Sequence, residues 1–429
     1  MTAVRAFREW AVVVAASPVL AFPSAVPLAT VGVLTLLVAW LVAGSRVQGV
    51  SLHARLGRLR WPWLVLAAMM VVGAAISPYR DLTLPKLAGL VLGMLVLRAL
   101  LLTATTVERT RAFAWCYLAI GVATVASALL IRPAAHNDNL PYVKYPAIWA
   151  ISERLPRVVS GVAGAERGVN LNALGGTTLF FLPLALTVVA TCVAVAIKQD
   201  QVLWLGAAAA AATALLVGFG LLLSQSRTSW VSASLAVGIL GVVGLGARRW
   251  RLRLLLGVGA AAVTGGLAFW IWRNQPALSS GLVAFSRWDA WRVAVDALLT
   301  QPLTGVGLGA FRRVAEVMQV AAPDPILPLV HAHNVFLQTA LDVGLPGLAA
   351  YVALLANATL QAFRVSRDAS VPVDRAIALG LWGGLLAVHI FGVLDSISLG
   401  AKVGVFVWAN LGLLAALDFT TRRPGAAGV

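Results

Sequence analysis

Residues 202–223 read VLWLGAAAAAATALLVGFGLLL, a run without a single charge. At the rise of an α-helix such a run spans about 30 Å, the thickness of a hydrocarbon core. It is not isolated. Comparable runs occupy 11–43 and 254–272, and hydrophobic residues make up 60% of the 429-residue chain against 11% charged. A soluble protein is about a quarter charged, and one of this size could not cover its surface with so few. Strands of a β-barrel would alternate apolar and polar residues, and these runs do not. The sequence therefore predicts an all-α polytopic membrane protein.

Twelve apolar segments can be read, near 10–22, 26–44, 61–77, 85–103, 112–131, 172–196, 202–223, 229–247, 254–272, 335–361, 376–394 and 401–418. The first is short and interrupted by Pro18 and Pro23. It is read as a retained helix, because no small-residue cleavage site precedes a polar start. Twelve spans put both termini on one side. The termini and even-numbered connections hold 18 Lys and Arg, and the short odd-numbered connections hold 4, namely Arg80, Lys86, Arg227 and Lys402. Positive charge stays cytoplasmic, so both termini are expected there and the site on the opposite, outer face. The chain is expected to form a single integral membrane domain over 1–429, with two long outer loops at 132–171 and 273–334, the second partly helical.

The net charge of +17 would suggest nucleic acid in a soluble protein. Here it is assigned to contacts with anionic membrane lipids and to an anionic ligand, with no nucleic acid partner. Cys116 and Cys192 both lie in apolar runs and read as small hydrophobes.

The second long loop carries the chemistry. Ser286-Arg287-Trp288-Asp289 has the spacing of a capping box and opens a helix to about Thr300. Trp288, Trp291, Val295 and Leu298 repeat at helical spacing and are read as an apolar face at the membrane surface. Arg292 stands between Asp289 and Asp296 at salt-bridging distances along that helix, whereas Arg287 is the better anion-binding candidate. Pro302-Leu303-Thr304-Gly305-Val306-Gly307-Leu308-Gly309 superficially resembles a dinucleotide fingerprint, but the flanking strand and acidic residue are missing. Its glycines are expected to make a tight turn, and no cofactor is expected.

The loop ends in His331-Ala332-His333-Asn334, directly before an apolar helix. His333 stands where water meets the bilayer. The partial positive charge of a helix start favours a neutral imidazole, which a general base requires. Asn334 is read as the N-cap and His331 as a secondary candidate. The two His at i, i+2 could hold a metal, but no acidic cluster is evident nearby, and no metal site is assigned. His389, inside a span, is a weaker functional candidate. Arg227, in Ser224-Gln225-Ser226-Arg227-Thr228-Ser229, has no carboxylate nearby in sequence, and a lipid-linked phosphate suits it.

Together these pieces resemble the O-antigen ligase/polymerase superfamily. His333-Asn334, nine residues, then Gly344-Leu345-Pro346-Gly347 follows its His-Asn-x9-Gly-x-x-Gly pattern. Arg287-x-x-x-Trp291-x-x-Ala294, then Pro302-Leu303-x-Gly305-x-Gly307, follows its lead-in, Ser226-Arg227 its upstream arginine, and Asn170-Leu171-Asn172 is similar as well. The resemblance covers roughly residues 160–400. It implies a metal-independent, inverting glycosyltransferase, an O-antigen ligase moving a glycan from undecaprenyl diphosphate to a sugar hydroxyl of lipid A–core. His333 would be the base, and Arg227 and Arg287 would hold the diphosphate. The alternatives are a polymerase or protein O-oligosaccharyltransferase of the same superfamily, or, from another class, a polyprenyl-diphosphate transporter, which needs arginines but no base.

Overall fold

The computed structural model describes residues 2–23, 27–42, 46–47, 50–131, 145–156, 158, 169–199, 202–244, 250–273, 287–319 and 331–422. The helices in chain order are α1 Thr2–Ala21, α2 Pro27–Val42, α3 Leu52–Leu56, α4 Arg60–Ile76, α5 Arg80–Thr103, α6 Val107–Leu130, α7 Pro146–Glu153, α8 Leu171–Thr178, α9 Leu182–Gln199, α10 Val202–Leu223, α11 Arg227–Gly244, α12 Trp250–Arg273, α13 Arg287–Thr300, α14 Phe311–Gln319, α15 Val335–Asp368, α16 Pro372–Leu394 and α17 Val405–Thr421. The described strands are Arg46–Val47 and Val50–Ser51, paired antiparallel. The protein is an all-α polytopic membrane protein.

All twelve apolar segments fall on helices. Among the described residues, nine helical stretches are long and apolar enough to cross a membrane, and Pro27–Leu41 is a shorter apolar one. Pro18 does not break α1. It sits in the last turn, where the lost N–H costs one bond, and Phe22 still donates to its carbonyl at 3.2 Å. The segment read as 172–196 is two helices with a break at 179–181. Asn170 caps α8 by accepting from the Ala173 N–H at 3.1 Å. The first long connection contains α7, which the pattern did not suggest, and the second contains α13 and α14.

The chain divides into two compact units. The first comprises 1–110, 279–365 and 392–429, and the second 111–278 and 366–391. Each pairs charges inside the bundle, as apolar surroundings favour. In the first, Arg98 donates to Glu9 at 3.1 Å and Arg364 to Asp418 at 3.1 Å. In the second, Arg111 grips Asp374 with two bonds of 2.6 and 2.9 Å.

Within the first unit, α15 is kinked at Gly344, whose φ of 71° only glycine adopts without strain. The kink splits a hydrogen bond that an unbroken helix would make between the Leu345 N–H and the Leu341 carbonyl. Both groups are taken up by the glycine-rich turn: Val306 N–H donates to Leu341 O at 2.8 Å, and Leu345 N–H donates to Pro302 O at 2.8 Å. Gly305, Gly307 and Gly309 all have positive φ, which is why that turn is written with alternate glycines. A buried cluster of Ala290, Ala294, Ala297, Val306, Phe311 and Ala332 joins α13, the turn, α14 and the His segment.

Candidate functional site

Helix α13 begins at Arg287 and ends at Thr300, as the spacing predicts. Ser286 lies outside the described residues. The buried face is different from the one read in the sequence. Ala290, Ala294 and Ala297 face the core, with Trp291 and Leu298 half-buried beside them, while Trp288 and Val295 are exposed. Small side chains let α13 approach its neighbours closely, so packing selects alanine where hydropathy points to tryptophan. Arg292 is exposed on the solvent side of the helix. An exposed ion pair at helical spacing contributes little, and water competes for the guanidinium.

Asn334 caps α15. Its Oδ1 accepts from Phe336 N–H at 2.9 Å and Leu337 N–H at 3.0 Å, and its Nδ2 donates to Val393 O at 3.1 Å. The second bond ties the start of α15 to the end of α16. Two residues past Val393 lies Asp395, buried, which the sequence reading missed. His333 Nδ1 is 3.6 Å and His331 Nε2 4.0 Å from Asp395 Oδ1. These are electrostatic contacts rather than hydrogen bonds. The two imidazoles are tilted with centroids 4.2 Å apart. His333 adopts a φ of 48°, uncommon outside glycine, and its carbonyl accepts from Trp291 Nε1 at 3.4 Å. Strain of this kind persists only where surroundings impose it.

A proton assignment follows from the backbone. The His333 N–H donates to His331 Nδ1 at 3.2 Å. That nitrogen must therefore be the acceptor, and in a neutral ring the proton sits on Nε2, toward Asp395. Burial, with the charges of His333, Lys86 and Arg287, lowers the pKa of His331 to about 4 against the pull of Asp395, so the ring is neutral at pH 7. Burial pushes the Asp395 carboxyl up, but the His333 and His331 rings and the Ser396 N–H, at 2.8 Å, bring it below its ordinary value. Asp395 is thus an anion between two imidazoles. His333 Nδ1 is buried and faces it, which leaves the other ring nitrogen of His333 as the position for an unprotonated base.

His331, His333 and Asp395 offer ligand atoms within 4.8 Å of one another, an acidic neighbour that the sequence did not reveal. Two His and a carboxylate are a known metal donor set. The proton budget opposes it here. A metal on His331 Nε2 would displace the proton that its Nδ1 bond requires.

Arg287 lies near enough in the first unit for its charge to act on His331. Arg227 belongs to the second unit, as the first residue of α11 and half-buried. Among the described residues no carboxylate pairs with it. Tyr145 stands within its field. That ring stacks on Trp230 and on Trp270, both at 5.3 Å, and the Tyr145 backbone N–H donates to Gln225 Oε1 at 2.8 Å. Burial raises the phenol pKa, and Arg227 opposes the rise. Trp230 and Trp270 also line an apolar groove of about 880 Å³ with Ile148, Leu182, Val237 and Leu255. His389 is occupied within α16, where its Nδ1 bonds the Leu385 carbonyl at 2.6 Å.

The O-Antigen ligase family model matches residues 211–352, which include Arg227, Arg287, His331, His333 and Asn334. The chain is 28% identical over 218 residues to the exopolysaccharide production protein ExoQ of Rhizobium meliloti (strain 1021), covering 47% of this chain and 48% of that protein. The chain thus spans about half the length of the curated relative it matches. With the motifs inside the matched stretch, residues 211–352 are similar to the O-antigen ligase family, and the resemblance to the O-antigen ligase/polymerase superfamily holds.

Proposed function

We propose that the protein is a membrane glycosyltransferase that moves a glycan from a polyprenyl diphosphate to an acceptor hydroxyl, with His333 as general base. The observation that carries this reading is the buried Asp395 carboxylate 3.6 Å from His333 Nδ1. A carboxylate there holds the ring in one tautomer and stabilises the imidazolium that forms when the acceptor proton is taken. The base removes the hydroxyl proton, the hydroxyl oxygen attacks the anomeric carbon, and the polyprenyl diphosphate leaves with the bonding electrons. One direct displacement inverts the centre. Arg227 and Arg287 are assigned to the diphosphate, whose negative charge increases as it leaves. The apolar groove beside Trp230 and Trp270 suits a lipid-linked donor. The chemistry needs no metal, since fixed guanidinium groups can neutralise a leaving diphosphate.

The acceptor we propose is a sugar hydroxyl of lipid A–core, with undecaprenyl diphosphate as carrier in the bacterial inner membrane, both termini cytoplasmic and the site periplasmic. The similarity to an exopolysaccharide production protein favours a second reading, in which the acceptor is another lipid-linked glycan. A deletion strain separates them. Lipid A–core lacking any O-chain, with exopolysaccharide intact, supports ligation, and loss of polymerised glycan with single repeats remaining supports polymerisation. Unchanged lipopolysaccharide and exopolysaccharide would sink both.

A further inference from the structure

Asp342 lies buried in α15, about two turns below the His segment. Its carboxylate serves three groups. Lys86 of α5 forms an ion pair with Oδ2, and Oδ1 accepts from Gly309 N–H at 3.0 Å and from Gln338 Nε2 at 3.1 Å. The Gln338 amide is therefore oriented, because its nitrogen must face the carboxylate. Its oxygen is left to accept, and it takes the N–H of Ala332 at 3.0 Å. Ala332 is the fully buried residue between His331 and His333. The Lys86 stem packs against Gly400, in the segment that follows Asp395.

We propose that Lys86, Asp342 and Gln338 form a positioning relay for the His331–His333 turn. The inference rests on the reading of His333 as base. A buried ion pair placed only to neutralise charge would have no need of the amide that reaches Ala332. Here the carboxylate fixes which way the amide points, and the amide fixes the backbone on which both imidazoles are mounted. The strained φ of His333 is held from three sides: by Gln338 through Ala332, by Trp291 on the His333 carbonyl and by the His331 ring on the His333 N–H. The same carboxylate pins Gly309, the end of the glycine-rich turn. One carboxylate thus organises both loops of the motif without touching the base, and Lys86 pairs with it inside the helix bundle.

The discriminating variant is Gln338→Met, which preserves volume and leaves the Lys86–Asp342–Gly309 contacts in place. Full-length protein with 15N-labelled histidine rings is compared in detergent, with His331→Asn and His333→Gln assigning the signals. Transfer is read as restoration of surface glycan in the deletion strain at matched membrane abundance. In the wild type, His331 should appear as the Nε2–H tautomer. Gln338→Met should shift the His331 and His333 ring signals and lower transfer by about tenfold or more, with Tm nearly unchanged, since small misplacements of a reacting group are costly. Lys86→Arg, which keeps the cation, should retain most transfer. Ring signals and transfer both within twofold of wild type would overturn the relay. So would a loss of transfer that accompanies a collapsed Tm with no selective change at the two rings. If His333→Ala still transfers glycan, the function reading fails, while the ring signals of Gln338→Met continue to decide the relay.

Discussion

Asn334 donates from Nδ2 to the Val393 carbonyl at 3.1 Å across 59 positions of sequence, while its Oδ1 caps α15. One amide therefore sets both the start of the helix below His333 and the end of the helix that delivers Asp395. Replacing Asn334 with Asp keeps the acceptor for the cap but removes the donor. Asn334→Asp should fold with near-normal Tm and lose transfer by about tenfold, because Asp395 is no longer tied to the His segment. Restoration of full surface glycan by this variant would show that the Val393 tie has no part in the site.

His333→Ala should abolish transfer while membrane abundance and Tm persist. Loss of a general base costs about a hundred- to ten-thousandfold. Asp395→Asn should fall in the same direction, because an amide can present a donor to His333 Nδ1 and favour the wrong tautomer. The measurement is surface glycan in the complemented deletion strain, at equal expression. If His333→Ala restores glycan to wild-type amounts, another group is the base.

What the sequence displayed and what it hid have different physical causes. Long apolar runs report membrane helices directly, because the bilayer requires them wherever they fall. Asn334 as a cap was legible for a similar reason, since capping is decided by neighbours in the chain. Asp395 was not legible, because its meeting with His333 depends on how α16 returns to the start of α15. The alanine face of α13 was hidden by the opposite signals of hydropathy and close packing: tryptophan reads as buried, but only alanine fits. Lys86 appeared among the short-loop cations and proved to be the half-buried partner of Asp342.

Acid should act on the protein through His331. Its pKa is near 4 in the fold and about 6.5 in an unfolded chain, so the unfolded state binds more protons between those values. Stability is then fully present above pH 6.5 and falls as pH drops toward 4. His331→Asn retains an acceptor for the His333 N–H but does not titrate. Thermal unfolding in detergent from pH 4 to 8 should show a shallower acid loss for the variant. Equal slopes for the two proteins would remove His331 as the sensor.

Metal removal should leave transfer intact. His331 Nδ1 is committed to a backbone N–H, which keeps the Nε2 proton in place and opposes coordination by the His331, His333 and Asp395 group. Purified protein in excess EDTA should work at its usual rate with a lipid-linked glycan donor. Activity lost to EDTA and regained with a divalent cation would mean that these three side chains bind metal after all.

The two arginines should separate from the base by what they do to donor binding. Arg227 and Arg287 are assigned to a diphosphate present in both the bound donor and the transition state, so removing either weakens binding as well as turnover. A hydrogen bond to a charged partner contributes about 1.5–3 kcal/mol, which predicts losses of about ten- to a hundredfold at each position. Lysine should rescue only partly, because an ammonium cannot reproduce the two-pronged geometry of guanidinium. Arg292→Ala should have little effect. Its side chain is exposed, so water takes its place when it is removed. Binding of undecaprenyl diphosphate to each variant in detergent is the test, with His333→Ala as a control that still binds. Normal binding by Arg227→Ala and Arg287→Ala, with loss in Arg292→Ala, would move the diphosphate to the other face of α13.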